Sequence, residues 1–79
     1  MTLEQRLIAD AELKRYGAHL TDAGFIAKGP KVMSVAIDVK GKKLCMVGPG
    51  NNVLATYPAT NVEKGVSDFV QKFWFWKPV

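Results

Sequence analysis

From Val32 to Val39 the chain alternates, with Met33, Val35, Ile37 and Val39 on one side and Ser34, Ala36 and Asp38 on the other. That period of two is the signature of a strand with one buried face. After four intervening residues Leu44 and Met46 repeat the pattern. Between the two runs, Gly41-Lys42 suits a two-residue type II′ turn, because glycine at the first central position supplies the positive φ. The resulting hairpin pairs Lys40 with Lys43, Val39 with Leu44 and Ile37 with Met46. A slip of one residue would turn one apolar face to water, so the register is strongly specified.

Other elements are placed around this hairpin. Thr2-Leu3-Glu4-Gln5 fits a capping box that starts a helix. The helical pattern then runs on to about Leu20, with Gly24 as its stop and Gly17 as an internal break point. Leu3, Leu7, Ala11 and Ala18 make one stripe and Leu13, Tyr16 and Leu20 another, which implies a helix buried on two sides or re-aimed at Gly17. Gly48-Pro49-Gly50-Asn51-Asn52 reads as a loop, followed by a shorter strand over Val53–Tyr57 that Pro58 ends. Thr60-Asn61-Val62-Glu63 is a second capping box. Val62, Val66, Phe69, Val70, Phe73 and Trp76 then form one helical face, which Pro78 closes.

The order is helix, three antiparallel strands, helix. The expected fold is a single α+β domain over residues 1–79 (αβββα), two layers deep, with both helices on one face of the sheet. The other face, with Ser34, Ala36, Asp38, Cys45, Val47 and Ala55, is polar to small-apolar and can stand in water.

With 79 residues and a single cysteine, Cys45, the chain cannot rely on a disulfide framework, and packing must stabilise it. No window approaches the apolar length of a membrane span, and the N-terminus lacks a signal-peptide pattern, so a cytoplasmic location without membrane contact is the default expectation. Metal binding and a cofactor are not expected: there is one cysteine, one histidine and no acid cluster at ligand spacing. His19, on the first helix, can touch Asp22 one turn away, a surface pair rather than half of an active site. Cys45, mid-strand, reads as a small hydrophobe. The chain is therefore expected not to be an enzyme.

The net charge of +4 is concentrated in residues 28–43, where Lys28, Lys31, Lys40, Lys42 and Lys43 stand against Asp38 alone. Such a stretch attracts phosphates or an acidic protein surface. The helix–three strands–helix order is shared with double-stranded-RNA-binding domains. Ala59–Lys64 offers one lysine and one acid where those domains cluster lysines, so the order alone assigns no family.

The C-terminus reads QKFWFWKPV. Phe73 and Trp76 fall on the buried stripe, Trp74 flanks it, and Phe75 points with Lys64, Asp68 and Gln71 toward water. An exposed aromatic at a chain terminus suits an interface. The reading that follows is a non-enzymatic protein-binding module of the inhibitor or adaptor type, such as mobile genetic elements or phages carry. It would be anchored by Trp74 and Phe75 and steered by Lys40, Lys42 and Lys43 toward an acidic or nucleic-acid-binding surface, such as that of a nucleic-acid-handling protein. The first alternative is a nucleic-acid-binding domain using Lys28, Lys31, Lys40, Lys42 and Lys43; the second is a homodimer packed through the tail.

Overall fold

The hairpin is where the alternation puts it. In the computed structural model, which describes residues 1–79, β3 (Lys31–Lys40) and β4 (Lys43–Gly48) pair Lys40 with Lys43, Val39 with Leu44 and Ile37 with Met46. Gly41 has a φ of 62° and Lys42 does not share the positive sign, as a type II′ turn requires. Val35, Ile37, Leu44 and Met46 are buried in the core.

The sheet is larger than three strands. Five antiparallel strands lie in sequence order: β1 (Ala18–Leu20), β2 (Phe25–Lys28), β3, β4 and β5 (Asn52–Pro58). The first helix, α1 (Leu3–Lys14), is correspondingly shorter than its sequence pattern, and the segment from Ala18 to Lys28 is a small hairpin instead. Gly17 and Gly24, with φ of 73° and 90°, take the left-handed conformations that turn the chain into and within this hairpin. His19 consequently sits on β1 opposite Ala27, exposed on the open face of the sheet, and not on a helix beside Asp22.

Of the two α1 stripes only one is buried. Ala9, Leu13 and the following Tyr16 enter the core, while Leu3, at 71% exposure, and Leu7 face water with Ala11. The capping box at Thr2 forms as its residues demand: the Thr2 hydroxyl accepts from the Gln5 amide at 3.1 Å, and the Gln5 side chain accepts from the Thr2 amide at 2.9 Å. Glu12, only 3% exposed, is matched by Arg15, whose Nη1 donates to both carboxylate oxygens at 3.1 and 2.9 Å.

The second helix, α2 (Val62–Trp74), is capped by Asn61 rather than Thr60; the side-chain Oδ1 of Asn61 accepts from the Lys64 amide at 3.1 Å. A short 3-10 turn over Ala59–Asn61 moves the cap one residue on. Val62, Val66, Phe69 and Val70 are buried as the helical face requires. Gly65 lets this helix close on the sheet, because a Cβ there would lie 2.8 Å from Leu44 Cδ2 and 3.0 Å from Tyr57 Cβ.

Both helices join one core cluster with the inner face of the sheet, and they touch each other. Tyr16 is fully buried at their junction. Its hydroxyl lies 2.6 Å from Ser67 Oγ and accepts from Gln71 Nε2 at 2.7 Å. Ala55 belongs to this inner side, packed against the core opposite Met46, and not to the open face; a bulge opposite Met46 and Val47 re-aims its neighbours. The open face is largely uncovered, although Cys45 and Ala27 are small enough to be hidden among their neighbours.

Candidate interaction surface at the C-terminal end

The end of α2 determines where each aromatic goes. The helix stops at Trp74, ahead of the Pro78 expected to stop it, and Phe75 adopts the left-handed conformation (φ 58°, ψ 27°). The amides of Phe75 and Trp76 converge on the Val70 carbonyl, satisfying an acceptor that the helix end would leave free. Trp76 therefore lies beyond the helix, where the turn carries it back over the core. It stacks on Trp74 with ring centroids 4.7 Å apart, and Lys28 Nζ lies 4.4 Å from its ring centroid. The Val79 amide donates to the Arg15 carbonyl at 2.8 Å, tying the tail to the end of α1.

The same turn throws Phe75 outward, and it is 80% exposed. Phe73, expected in the core, is 47% exposed, because it lies on the outer margin of the buried stripe and rests on Phe69 at 4.9 Å. Trp74 packs edge-on against both Phe69 and Phe73, each at 5.4 Å, so it belongs to the half-buried aromatic cluster. The exposed aromatic area is that of Phe75 with the flank of Phe73.

The five lysines of residues 28–43 do not form one patch. Lys28 and Lys31 face each other across the β2–β3 turn, on the same end as Trp76. Lys40, Lys42 and Lys43 stand at the β3–β4 tip, where the Ala59 amide donates to the Lys42 carbonyl. Nine strand steps separate Lys31 from Lys40, roughly 30 Å, close to the 31 Å longest dimension of the molecule. The sides differ as well. Lys28 reaches Trp76 on the helix side, whereas Lys40, next to the inward-facing Val39, points to the open face. The lysines that accompany the tail are thus Lys28 and Lys31, joined by Lys72 and Lys77 from the tail's own segment. None of these four is in an ion pair; the three ion pairs are Lys14–Asp10, Arg15–Glu12 and Lys64–Asp68.

His19 and Cys45 lie on strands with two others between them, about 14 Å apart by strand spacing. Cys45 is buried. The structure therefore does not bring the Cys45 thiol beside the His19 imidazole. No three His, Cys, Asp or Glu side chains converge as a ligand set, and no helix is long and apolar enough to cross a membrane. Neither a family model, nor a curated protein, nor a solved structure matches this chain.

Proposed function

We propose that this chain is a non-enzymatic protein-binding module, an inhibitor or adaptor that works by occupying a partner's surface. The observation that carries the reading is Phe75: it stands 80% exposed while the aromatic residues on either side of it are packed against the core. Leaving a phenylalanine in water forgoes the burial that a small domain needs, so its place is in a partner's pocket. Lys28, Lys31, Lys72 and Lys77, unpaired around it, favour an acidic rim on that partner and speed the encounter at low salt. The buried, unpaired thiol of Cys45 suits a reducing compartment such as the cytoplasm.

The test is capture from lysate with tagged protein, with and without nuclease, using wild type and Phe75→Ala. A nuclease-resistant protein band that the variant loses supports the reading. Truncating a hot-spot aromatic costs about 2 kcal/mol or more, roughly thirtyfold in Kd. Equal capture by both proteins would remove Phe75 as the anchor.

A second reading keeps nucleic acid as the partner, now confined to the hairpin tip, where Lys40, Lys42 and Lys43 are unpaired and the first faces the last across the strands. It predicts an affinity that falls steeply with salt and with Lys42→Glu. Binding that ignores salt would dismiss it.

A further inference from the structure

Four stretches of strand edge in this sheet lack a neighbouring strand; one, Lys31–Val35 on the β4 side of β3, carries the charge of Lys31, and the other three are treated differently. At β1 the Leu20 amide turns away from β2 and is capped by Asp10, whose Oδ1 accepts it at 2.8 Å. Along β3, pairing with β2 begins only at Ala36, so the edge beyond Ile37 is open; there the Val39 amide is capped by its neighbour's carboxylate, Asp38 Oδ1, also at 2.8 Å. A carboxylate seated on an edge amide blocks an incoming strand both sterically and by charge.

The third edge, β5, has no such guard. No side chain bonds to its backbone, and its only neighbour in the sheet is β4. From Gly48 to Val62 the sequence carries no charged residue at all. The direction of its free groups follows from the ladder. The Ile37 amide donates to the Gly24 carbonyl on the β2 side, so Ile37 and Met46 form a non-bonded pair, and Met46 turns its backbone toward Ala55. One residue on, Thr56 must therefore point its N–H and C=O outward, away from β4. A row of unpaired backbone groups on an uncharged strand is a template for another strand.

We propose that β5 pairs antiparallel with β5 of a second copy of this chain, about a two-fold axis at Thr56. In that register the two Thr56 residues exchange both backbone hydrogen bonds. Pro58, which has no amide to offer, marks the end of the pairing on each chain. On the helix side, the large Tyr57 of each copy lies opposite the small Ala55 of the other; on the open side, threonine faces threonine, a favourable cross-strand pair. No like charges meet. The bulge at Leu54 and the missing amide of Pro58 limit the pairing to Ala55–Tyr57. The two sheets become one of ten strands with all four helices on the same side, and each C-terminal surface keeps its own Phe75.

The experiment is mass determination by light scattering on size-exclusion chromatography over a hundredfold concentration range, on wild type, Thr56→Lys, Thr56→Glu and an equimolar mixture of the two variants. Thr56 is exposed and its backbone groups are not used within the chain, so both variants fold, which circular dichroism verifies. The expected result is wild type at twice the chain mass at high concentration, each variant alone at the monomer mass, and the mixture back at twice the chain mass. Wild type that stays monomeric throughout overturns the proposal. So do variants that remain dimeric, which would move the interface elsewhere.

Discussion

Phe75 allows one decisive stability measurement, because its backbone and its side chain make opposite demands. As a C-terminal cap in the left-handed region, any residue with a Cβ costs roughly 1–2 kcal/mol relative to a right-handed one, a cost glycine does not bear. The phenyl ring returns little. With 80% of the residue exposed, a fifth of a side chain that buries about 200 Å² in full is about 40 Å², or about 1 kcal/mol at 25 cal/mol per Å². Phe75→Ala removes that burial and keeps the backbone cost, so it lowers stability by up to about 1 kcal/mol. Phe75→Gly removes both, so it matches wild type or exceeds it by up to about 1 kcal/mol. The glycine variant should therefore melt above the alanine variant by about 4–8 °C for each kcal/mol in a domain of this size. In a helix interior the order is reversed, alanine exceeding glycine by about 1 kcal/mol. Thermal and urea unfolding of the three proteins give the comparison directly. An alanine variant as stable as the glycine one would mean that the chain does not turn at Phe75 and that the account of the exposed ring is wrong. Both variants should lose the partner alike, which separates binding from folding.

Gly65→Ala should destabilise despite alanine's better helix propensity, since the added methyl meets Tyr57 Cβ at 3.0 Å and Leu44 Cδ2 at 2.8 Å; overpacking of about 1–3 kcal/mol outweighs about 1 kcal/mol of propensity, as chemical denaturation would record. Arg15→Ala leaves the Glu12 carboxylate, only 3% exposed, without the guanidinium that donates to both of its oxygens, and should lower the urea midpoint. Asp10 is held below its ordinary pKa of 3.8, chiefly by the Leu20 amide it accepts and also by Lys14, with its partial burial opposing both. A depressed folded pKa contributes stability that is present above the unfolded value and lost as pH falls through the folded one. Asp10→Asn should thus be less stable than wild type at pH 7, and melting curves of the two should draw together below pH 3.8.

The hairpin and the cap at Thr2 were legible because each is written locally: a period of two with glycine at the turn, and two side chains three positions apart. The β1–β2 hairpin was not. Ala18-His19-Leu20 and Phe25–Lys28 are too short for a period to show, and Tyr16 and Leu20 happen to fall at helical spacing. What makes them strands is a distant partner, β3, on which β2 pairs. The one local clue lay in Gly17 and Gly24, bracketing a segment that a helix would have had to cross. The site divides in the same way. The helical wheel turned Phe75 outward, but the structure reaches the same exposure by another route, since the helix stops at Trp74 and the left-handed turn at Phe75 sets the ring. Which lysines accompany it depends on the meander, which carries Lys28 to the tail and takes Lys40, Lys42 and Lys43 to the far end.

The meander also bears on how the chain reaches this state. Every strand pairs with its neighbour in sequence, so the sheet assembles through short loop closures. The contact of Tyr16 with Gln71 bridges 55 positions, so its larger loop-closure cost favours its closing after those loops. Interactions absent from the transition state act on escape from the native basin rather than on entry. Tyr16→Phe, which cuts that bridge while keeping the ring, should steepen nothing on the refolding limb of a chevron and raise the unfolding limb along its whole length. The two helices would then set how long the molecule stays folded, and the strands how quickly it gets there.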